Sequence, residues 1–167
     1  MKKRIKFILR CVPAVLCMLM IFVLSSHTAA ESSEVSGGLI ASIAERLHPG
    51  FEEMSEAHQM KYIENWQFAV RKTAHFSIYA LLGLLLSWPV STIMDRRYVF
   101  AHSLLIAGLY AVSDEIHQYF VPGRSCEIRD MVIDFSGAVL GCAAYLLIRK
   151  IIQKNYLEKE KILKNTY

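Results

Sequence analysis

Residues 113–137 read SDEIHQYFVPGRSCEIRDMVIDFSG and separate two long apolar runs. A membrane-spanning helix needs about 20 predominantly apolar residues, and both runs meet that length. Ionisable groups at a membrane boundary are costly and are usually retained for a function. The stretch therefore predicts two membrane helices with a candidate functional site at the turn between them. Its polar side chains include Asp114, Glu115, His117, Gln118, Arg124, Asp130 and Asp134.

The composition indicates a membrane protein, because 54% of the 167 residues are hydrophobic, more than is usual for a soluble domain. Four segments are long and apolar enough to span a bilayer, at residues 7–24, 73–94, 98–120 and 131–148. Each is predicted to be an α-helix, since lipid cannot satisfy backbone polar groups. The predicted fold is an all-α, polytopic membrane helical bundle, one domain over residues 1–167, with an external amphipathic helical loop.

Basic residues orient this bundle by the positive-inside rule. Lys and Arg dominate the first ten residues, the turn at residues 95–97 and the tail at residues 149–167, so both termini are expected to be cytoplasmic. The loop at residues 25–70 holds seven Glu against Arg46 and Lys61 and is expected to be external. The net charge of +4 thus reflects topology and contact with the lipid bilayer, and it does not indicate a nucleic-acid partner.

The first segment has an alternative interpretation as a cleavable signal peptide. It has a basic start, an apolar core at residues 11–24, and the small residues Thr28, Ala29 and Ala30 after it. A retained span is preferred, because it keeps an even number of helices and a cytoplasmic C-terminus. Cleavage would leave three spans in the same orientation.

The external loop has helical apolar spacing that predicts two amphipathic helices, broken at Pro49-Gly50. These helices are expected to lie on the outer leaflet or to cover the bundle. Packing on the helix ends is one role for them, and ligand binding is the alternative. The apolar positions are Val35, Leu39, Ile43 and Leu47, then Phe51, Met54, Tyr62 and Trp66.

A second polar cluster, Arg71, Lys72 and His75, begins the second span. At 1.5 Å of rise per residue, His75 lies about 6 Å deeper than Arg71, and Asp114 and Asp134 lie at a similar depth on their own helices. These polar edges are expected to meet in the bundle interior. A His beside a carboxylate can move a proton near neutral pH. The candidate catalytic residues are therefore His75, Asp114, Glu115 and Asp134.

Arg124 is the leading candidate for holding an anion. Pro122-Gly123 predicts a tight turn that aims Arg124 over the cluster. Arg suits planar anions such as carboxylate or phosphate, and it could equally pair with Asp130 or Glu127 as a structural clamp. No metal and no cofactor is predicted, because one His among carboxylates lacks zinc-site spacing. The candidate ligand-binding residues are Arg71, Lys72, Gln118, Arg124 and Asp130.

Gly137 and Gly141 are four residues apart on the last span. Small residues at this spacing let a neighbouring membrane helix approach closely. The expected neighbour is the second span near Gly83.

Three ordered motifs make the chain resemble the VanZ-like family of membrane proteins. The resemblance covers residues 71–141 by motif and the first span by layout. It implies a bacterial cell-membrane protein, in a family whose name-giving member is associated with resistance to the glycopeptide antibiotic teicoplanin. No reaction comes with the resemblance. The motifs are Arg71-Lys72-x-Ala74-His75-Phe76-x-x-Tyr79-x-x-Leu82-Gly83, Ser113-Asp114-Glu115-x-x-Gln118-x-Phe120-x-Pro122-Gly123-Arg124 and Asp130-x-x-x-Asp134-x-x-Gly137.

Three functional hypotheses remain open from the sequence. The first is a cell-envelope factor that lowers sensitivity to teicoplanin-type glycopeptides, with an outward-facing polar site for a cell-wall precursor lipid or the lipid-tailed drug. The second is an intramembrane enzyme acting on a phosphorylated or acylated lipid. The third is a non-catalytic membrane interaction protein.

Overall fold

The computed structural model describes residues 2–165, and those residues form five helices and no strand. Four of these five, all except the second, are long and apolar enough to cross a membrane. The prediction of an all-α membrane bundle with four spans and an amphipathic helical segment between the first two is confirmed. The helices are α1 Lys2–Ser25, α2 Ala29–Leu47, α3 Glu56–Val90, α4 Arg96–Tyr119 and α5 Ile128–Asn165.

The segment between the first two spans differs in one respect from the prediction. The break at Pro49-Gly50 is present, because α2 ends at Leu47 and α3 begins at Glu56. The prediction of a separate second amphipathic helix is wrong, since α3 continues without interruption into the membrane span. The physical reason is that no Gly or Pro lies between residues 56 and 72 to end the helix.

Two helices are much longer than a bilayer requires. At 1.5 Å per residue, α3 is about 52 Å long and α5 about 57 Å long, against a hydrocarbon core of about 30 Å. The first half of α3 therefore extends past one end of the bundle, and residues 149–165 of α5 extend past the other. The predicted tail at residues 149–167 is thus helical through Asn165, and its last two residues lie outside the described part of the chain.

A capping box starts α2. The Thr28 hydroxyl oxygen accepts from the Glu31 N–H at 3.2 Å, and Glu31 Oε2 accepts from the Thr28 N–H at 2.8 Å. These hydrogen bonds lower the pKa of Glu31. From this start α2 packs along the first half of α3, where Gln67 Nε2 donates to the Ser33 carbonyl at 3.0 Å.

The contact between α3 and α5 is the closest helix packing in the bundle. A Cβ on Gly137 would overlap the Phe76 carbonyl of α3, and a Cβ on Gly141 would overlap the Ala80 carbonyl. In return, Gly83 of α3 lies against the backbone of α5. The predicted small-residue contact near Gly83 is therefore confirmed, and it fixes how the polar residues of α3 and α5 face each other one turn higher.

Candidate functional site

Polar side chains of α3, α4 and α5 meet at one end of the bundle, beneath the loop of residues 120–127. We call this the loop end. The candidate residues contributed by α4 and α5 are almost inaccessible, with 0% to 8% of their surface exposed. Their burial confirms that the polar edges of these two helices face inward. They are Asp114, Glu115, Gln118, Asp130 and Asp134.

A chain of hydrogen bonds runs from α1 to the loop. Asp114 Oδ2 accepts from the Ser25 hydroxyl at 3.0 Å and from Gln118 Nε2 at 3.1 Å. With its amide nitrogen engaged in this way, Gln118 presents its Oε1 to the Arg124 guanidinium, which donates to it. Asp114 therefore orients Gln118, and Gln118 in turn holds Arg124.

The loop adopts the tight turn that the sequence predicts. Gly123 has φ of +75°, a left-handed conformation that favours glycine, and a Cβ there would meet the Ala29 side chain at 3.0 Å. Further along the loop, Glu115 Oε2 accepts from the backbone N–H of Glu127 at 3.0 Å. The buried Glu115 thus holds the loop against α4, which is a structural role.

Two carboxylates of the loop end are neutralised by nearby cations. The Lys72 ammonium contacts both oxygens of Asp130, and these two sequence-predicted ligand residues therefore pair with each other. Arg129 donates to Glu127 at 2.8 Å, and Ser125 donates to its other oxygen at 3.1 Å. These hydrogen bonds lower the pKa of Glu127, which is a carboxylate at neutral pH.

Two guanidinium groups have no such partner. Within residues 2–165, the Arg71 side chain makes no hydrogen bond or ion pair, and its buried Nε is unpartnered. Arg124 pairs with the neutral Gln118 amide and with no carboxylate, so neither Asp130 nor Glu127 clamps it. Both structural pairings that the sequence left open for Arg124 are absent from the described residues.

Both of these guanidiniums, which have no carboxylate partner, line the same polar cavity at the loop end. Its volume is about 160 Å³, below the roughly 300 Å³ at which pockets for whole small-molecule ligands begin. The cavity is therefore suited to one small charged group rather than to a complete drug-sized molecule. Its charged and amide lining consists of Arg71, Lys72, Gln118, Arg124, Glu127 and Asp130.

A second group of polar atoms lies deeper, on the inner side of this cavity. His75 Nδ1 is 3.3 Å from Asp134 Oδ1, and the Asp134 side chain has no exposed surface. The buried phenol of Tyr79 interacts electrostatically with both Asp114 and Asp134. The structure thus places His75 beside Asp134, and it places Asp114 and Asp134 near the Tyr79 side chain.

Several oxygens of this deeper group receive no hydrogen bond of good geometry from residues 2–165. A native buried polar atom without a partner calls for an explanation, and a functional role is one. These atoms are the Tyr79 hydroxyl, Asp114 Oδ1, Glu115 Oε1 and both carboxylate oxygens of Asp134.

His117 lies away from the cluster. Its ring stacks on Phe22 of α1 with centroids 4.4 Å apart and contacts the Ser26 hydroxyl at 3.0 Å, so it faces α1. Among the described residues, no group of three or more His, Cys, Asp or Glu side chains is placed to hold a metal ion.

Ser25 belongs to the site and was missed by the sequence reasoning. It is buried, with 3% of its surface exposed, and it donates to Asp114 across 89 positions of the chain. One signal in the sequence could have identified Ser25. It is a small polar residue that ends the first apolar run at the same depth as the other polar residues. The packing of α1 on α4 decides the contact, and only the fold shows that packing.

The family model for VanZ/LLP1 matches residues 11–149. The chain belongs to the VanZ/LLP1 family. The match includes residues 11–25 of α1, all three motifs and the loop end, and it stops where α5 leaves the bundle. Neither curated proteins nor solved structures give a match to the chain. Family membership together with four membrane-spanning helices makes this a multi-pass membrane protein.

Proposed function

We propose that this VanZ/LLP1 family protein binds the anionic group of an envelope amphiphile and thereby lowers sensitivity to teicoplanin-type glycopeptides. The observation that carries the proposal is the pair Arg71 and Arg124, whose guanidiniums line one cavity without a carboxylate partner. Uncompensated guanidiniums favour carboxylate or phosphate, which they bind through parallel N–H donors. The cavity therefore selects an anion.

Charge asymmetry supports an outward-facing site in a bacterial cell membrane. The loop end is on the same side as the acidic segment at residues 25–70. The basic residues 2–10, the basic residues 149–165 and the turn at residues 95–97 are at the other end. By the positive-inside rule, the loop end faces outside and both termini are cytoplasmic. Cell-wall precursor lipid and the lipid-tailed glycopeptide both reside at that outer surface, and the headgroup-sized cavity accepts only the charged part of either.

Deletion and complementation in the native host test this function. Cells lacking the gene should become more sensitive to teicoplanin, and the wild-type gene should restore tolerance. The double variant Arg71→Gln, Arg124→Gln should fail to restore it at equal membrane abundance, because the cavity loses both uncompensated charges. Precursor-lipid composition is measured in the same strains, which separates an effect on the lipid from an effect on the drug.

Arg46→Gln is the matched control, because Arg46 is an exposed Arg of α2 that does not line the cavity. The control should restore tolerance fully. Full tolerance with the double variant, or unchanged sensitivity after deletion, contradicts the proposal.

A second candidate, an intramembrane enzyme acting on a phosphorylated or acylated lipid, is favoured by the His75 and Asp134 contact of 3.3 Å. In this alternative Asp134 orients the His75 ring, His75 transfers the proton, and Arg71 with Arg124 holds the anion. The test is mass spectrometry of envelope lipids incubated with purified protein. Product formation that His75→Gln abolishes supports an enzyme, and identical lipids with and without protein contradict it.

A further inference from the structure

An apolar cavity of about 180 Å³ opens beside the polar one, between α2 and α3. Val35 and Leu39 of α2 face Val70 and Ala74 of α3 across it, and Leu24 of α1 closes one side. The polar residues that line it are Arg71, His75, His27, Ser32 and Ser36. Arg71 and His75 therefore belong both to this cavity and to the candidate functional site.

The apolar surface continues further from the bundle. A second apolar cavity of about 260 Å³ lies between the same two helices, and Val70 lines both cavities. It extends to Tyr62 of α3, twelve residues before Ala74, which is about 18 Å along the helix. Together the two cavities form one elongated groove, which we call the α2–α3 groove.

Arg71 is the junction between this groove and the polar cavity, since its side chain lines both. Its guanidinium has no partner among the described residues. A charge at the end of an apolar groove matches a molecule that is charged at one end and apolar along the rest. A free inorganic anion would use the polar cavity alone.

Large apolar side chains along the groove are exposed although this part of α3 extends past the bundle. Val35 is 64% exposed, Leu39 52% and Trp66 51%. Clustered apolar exposure of this kind marks a surface that binds something apolar. The unpaired Arg71 at its end favours an amphiphile over a second apolar helix.

We propose that the α2–α3 groove holds one hydrocarbon chain of an amphiphile whose phosphate or carboxylate lies between Arg71 and Arg124. This inference rests on the proposed anion site. It adds the class of ligand, which is an anionic amphiphile with one hydrocarbon chain bound in the groove. A bilayer lipid and a single-chain amphiphile share this chemistry.

Trp66 lies in the groove and is a built-in reporter. The protein is placed in nanodiscs as the full chain with Trp88→Phe, which leaves Trp66 as the sole tryptophan. Dodecyl phosphate brominated at its chain end should quench Trp66 saturably, and plain dodecyl phosphate should reverse the quenching. Arg71→Gln should weaken the apparent affinity about tenfold or more, because the anion loses a charge-assisted contact.

Groove variants supply the matched comparison. Leu39→Gln and Ile43→Gln should weaken dodecyl phosphate binding and leave competition by methyl phosphate unchanged. Met60→Gln changes another exposed apolar residue, on α3, that lines neither cavity, and this variant should bind as the parent does. In a second experiment the nanodiscs contain brominated phospholipid and no single-chain probe is added. If this phospholipid quenches Trp66 and dodecyl phosphate reverses the quenching, a bilayer lipid is an occupant of the groove.

Three results overturn the inference. If methyl phosphate competes as well as dodecyl phosphate, the anion site stands and the chain does not occupy the groove. If dodecanol binds as tightly as dodecyl phosphate, the groove is not linked to the charge at Arg71. If neither phosphate competes, the proposed anion site fails together with the groove.

Discussion

Arg71 of α3 and Arg124 of the loop line one cavity from positions 53 residues apart, and no carboxylate pairs with either guanidinium within residues 2–165. Beside them, Lys72 pairs with Asp130, and Arg129 pairs with Glu127. The polar cavity is therefore lined by two neutralised carboxylates and by two guanidiniums without a carboxylate partner. The pairs stabilise the loop, and the two guanidiniums are available to a ligand.

We predict that Lys72 and Asp130 act mainly on stability. Lys72→Met alone leaves Asp130 with little exposure and without its cation, at a cost toward the lower end of about 3 to 5 kcal/mol. The double variant Lys72→Met, Asp130→Leu removes both charges and should recover much of that loss. Thermal unfolding of the purified single and double variants measures this coupling. Additive effects would show that the two side chains act separately.

Asp114→Asn should reduce teicoplanin tolerance per molecule of folded protein, because Asp114 orients Gln118 and Gln118 holds Arg124. Asp95→Asn is the control, since Asp95 is an exposed surface residue at the other end of the bundle. Membrane abundance and tolerance are measured in the same cells. If Asp114→Asn loses abundance in proportion to tolerance, Asp114 is a structural residue of the bundle and the orienting role is wrong.

The close approach of α3 and α5 predicts a sharp contrast between two glycines. Gly141→Ala places a Cβ on the Ala80 carbonyl and should destabilise the bundle or reduce its abundance. Gly38→Ala, on α2, meets nothing within 4 Å and should be neutral or stabilising by about 0.5 to 1 kcal/mol. Thermal stability in detergent compares them. Equal effects would contradict the helix packing.

Cys126 reports which face of the membrane the loop end occupies. It is exposed, and Cys11, Cys17 and Cys142 lie in membrane-spanning helices. In a variant that keeps only Cys126, an impermeant thiol reagent should label whole cells. If labelling requires permeabilised cells, the loop end lies on the cytoplasmic side, and the proposed function, which needs an outward-facing site, is wrong.

The helices and their inward polar edges were predictable from the sequence, because apolar length and four-residue spacing are local properties. The sequence analysis predicted a separate amphipathic helix before Arg71, and it missed that this helix continues into the span because no helix breaker lies between them. Residues 56–70 are more polar than the span that follows, but they form one helix with it because they favour helix and contain no breaker.

The pairing of charges was not predictable in the same way. The sequence placed Lys72, Asp130 and Arg124 at one end of the bundle and could not assign partners among them. The assignment depends on the turn at Gly123 and on Glu115 holding the Glu127 amide, which together set the direction of Arg124. Ser25 entered the site for a related reason, because its contact with Asp114 exists only once α1 packs on α4.

Equilibrium binding of an alkyl phosphate to the purified protein is the most direct test of the anion site. We expect saturable binding that Arg71→Gln and Arg124→Gln each weaken by about 10- to 100-fold, since a charged hydrogen-bonded contact contributes about 1.5 to 3 kcal/mol. Arg46→Gln should bind as the wild type does. Equal affinity in the wild type and in the double variant Arg71→Gln, Arg124→Gln would show that these guanidiniums hold no anion and would contradict the account.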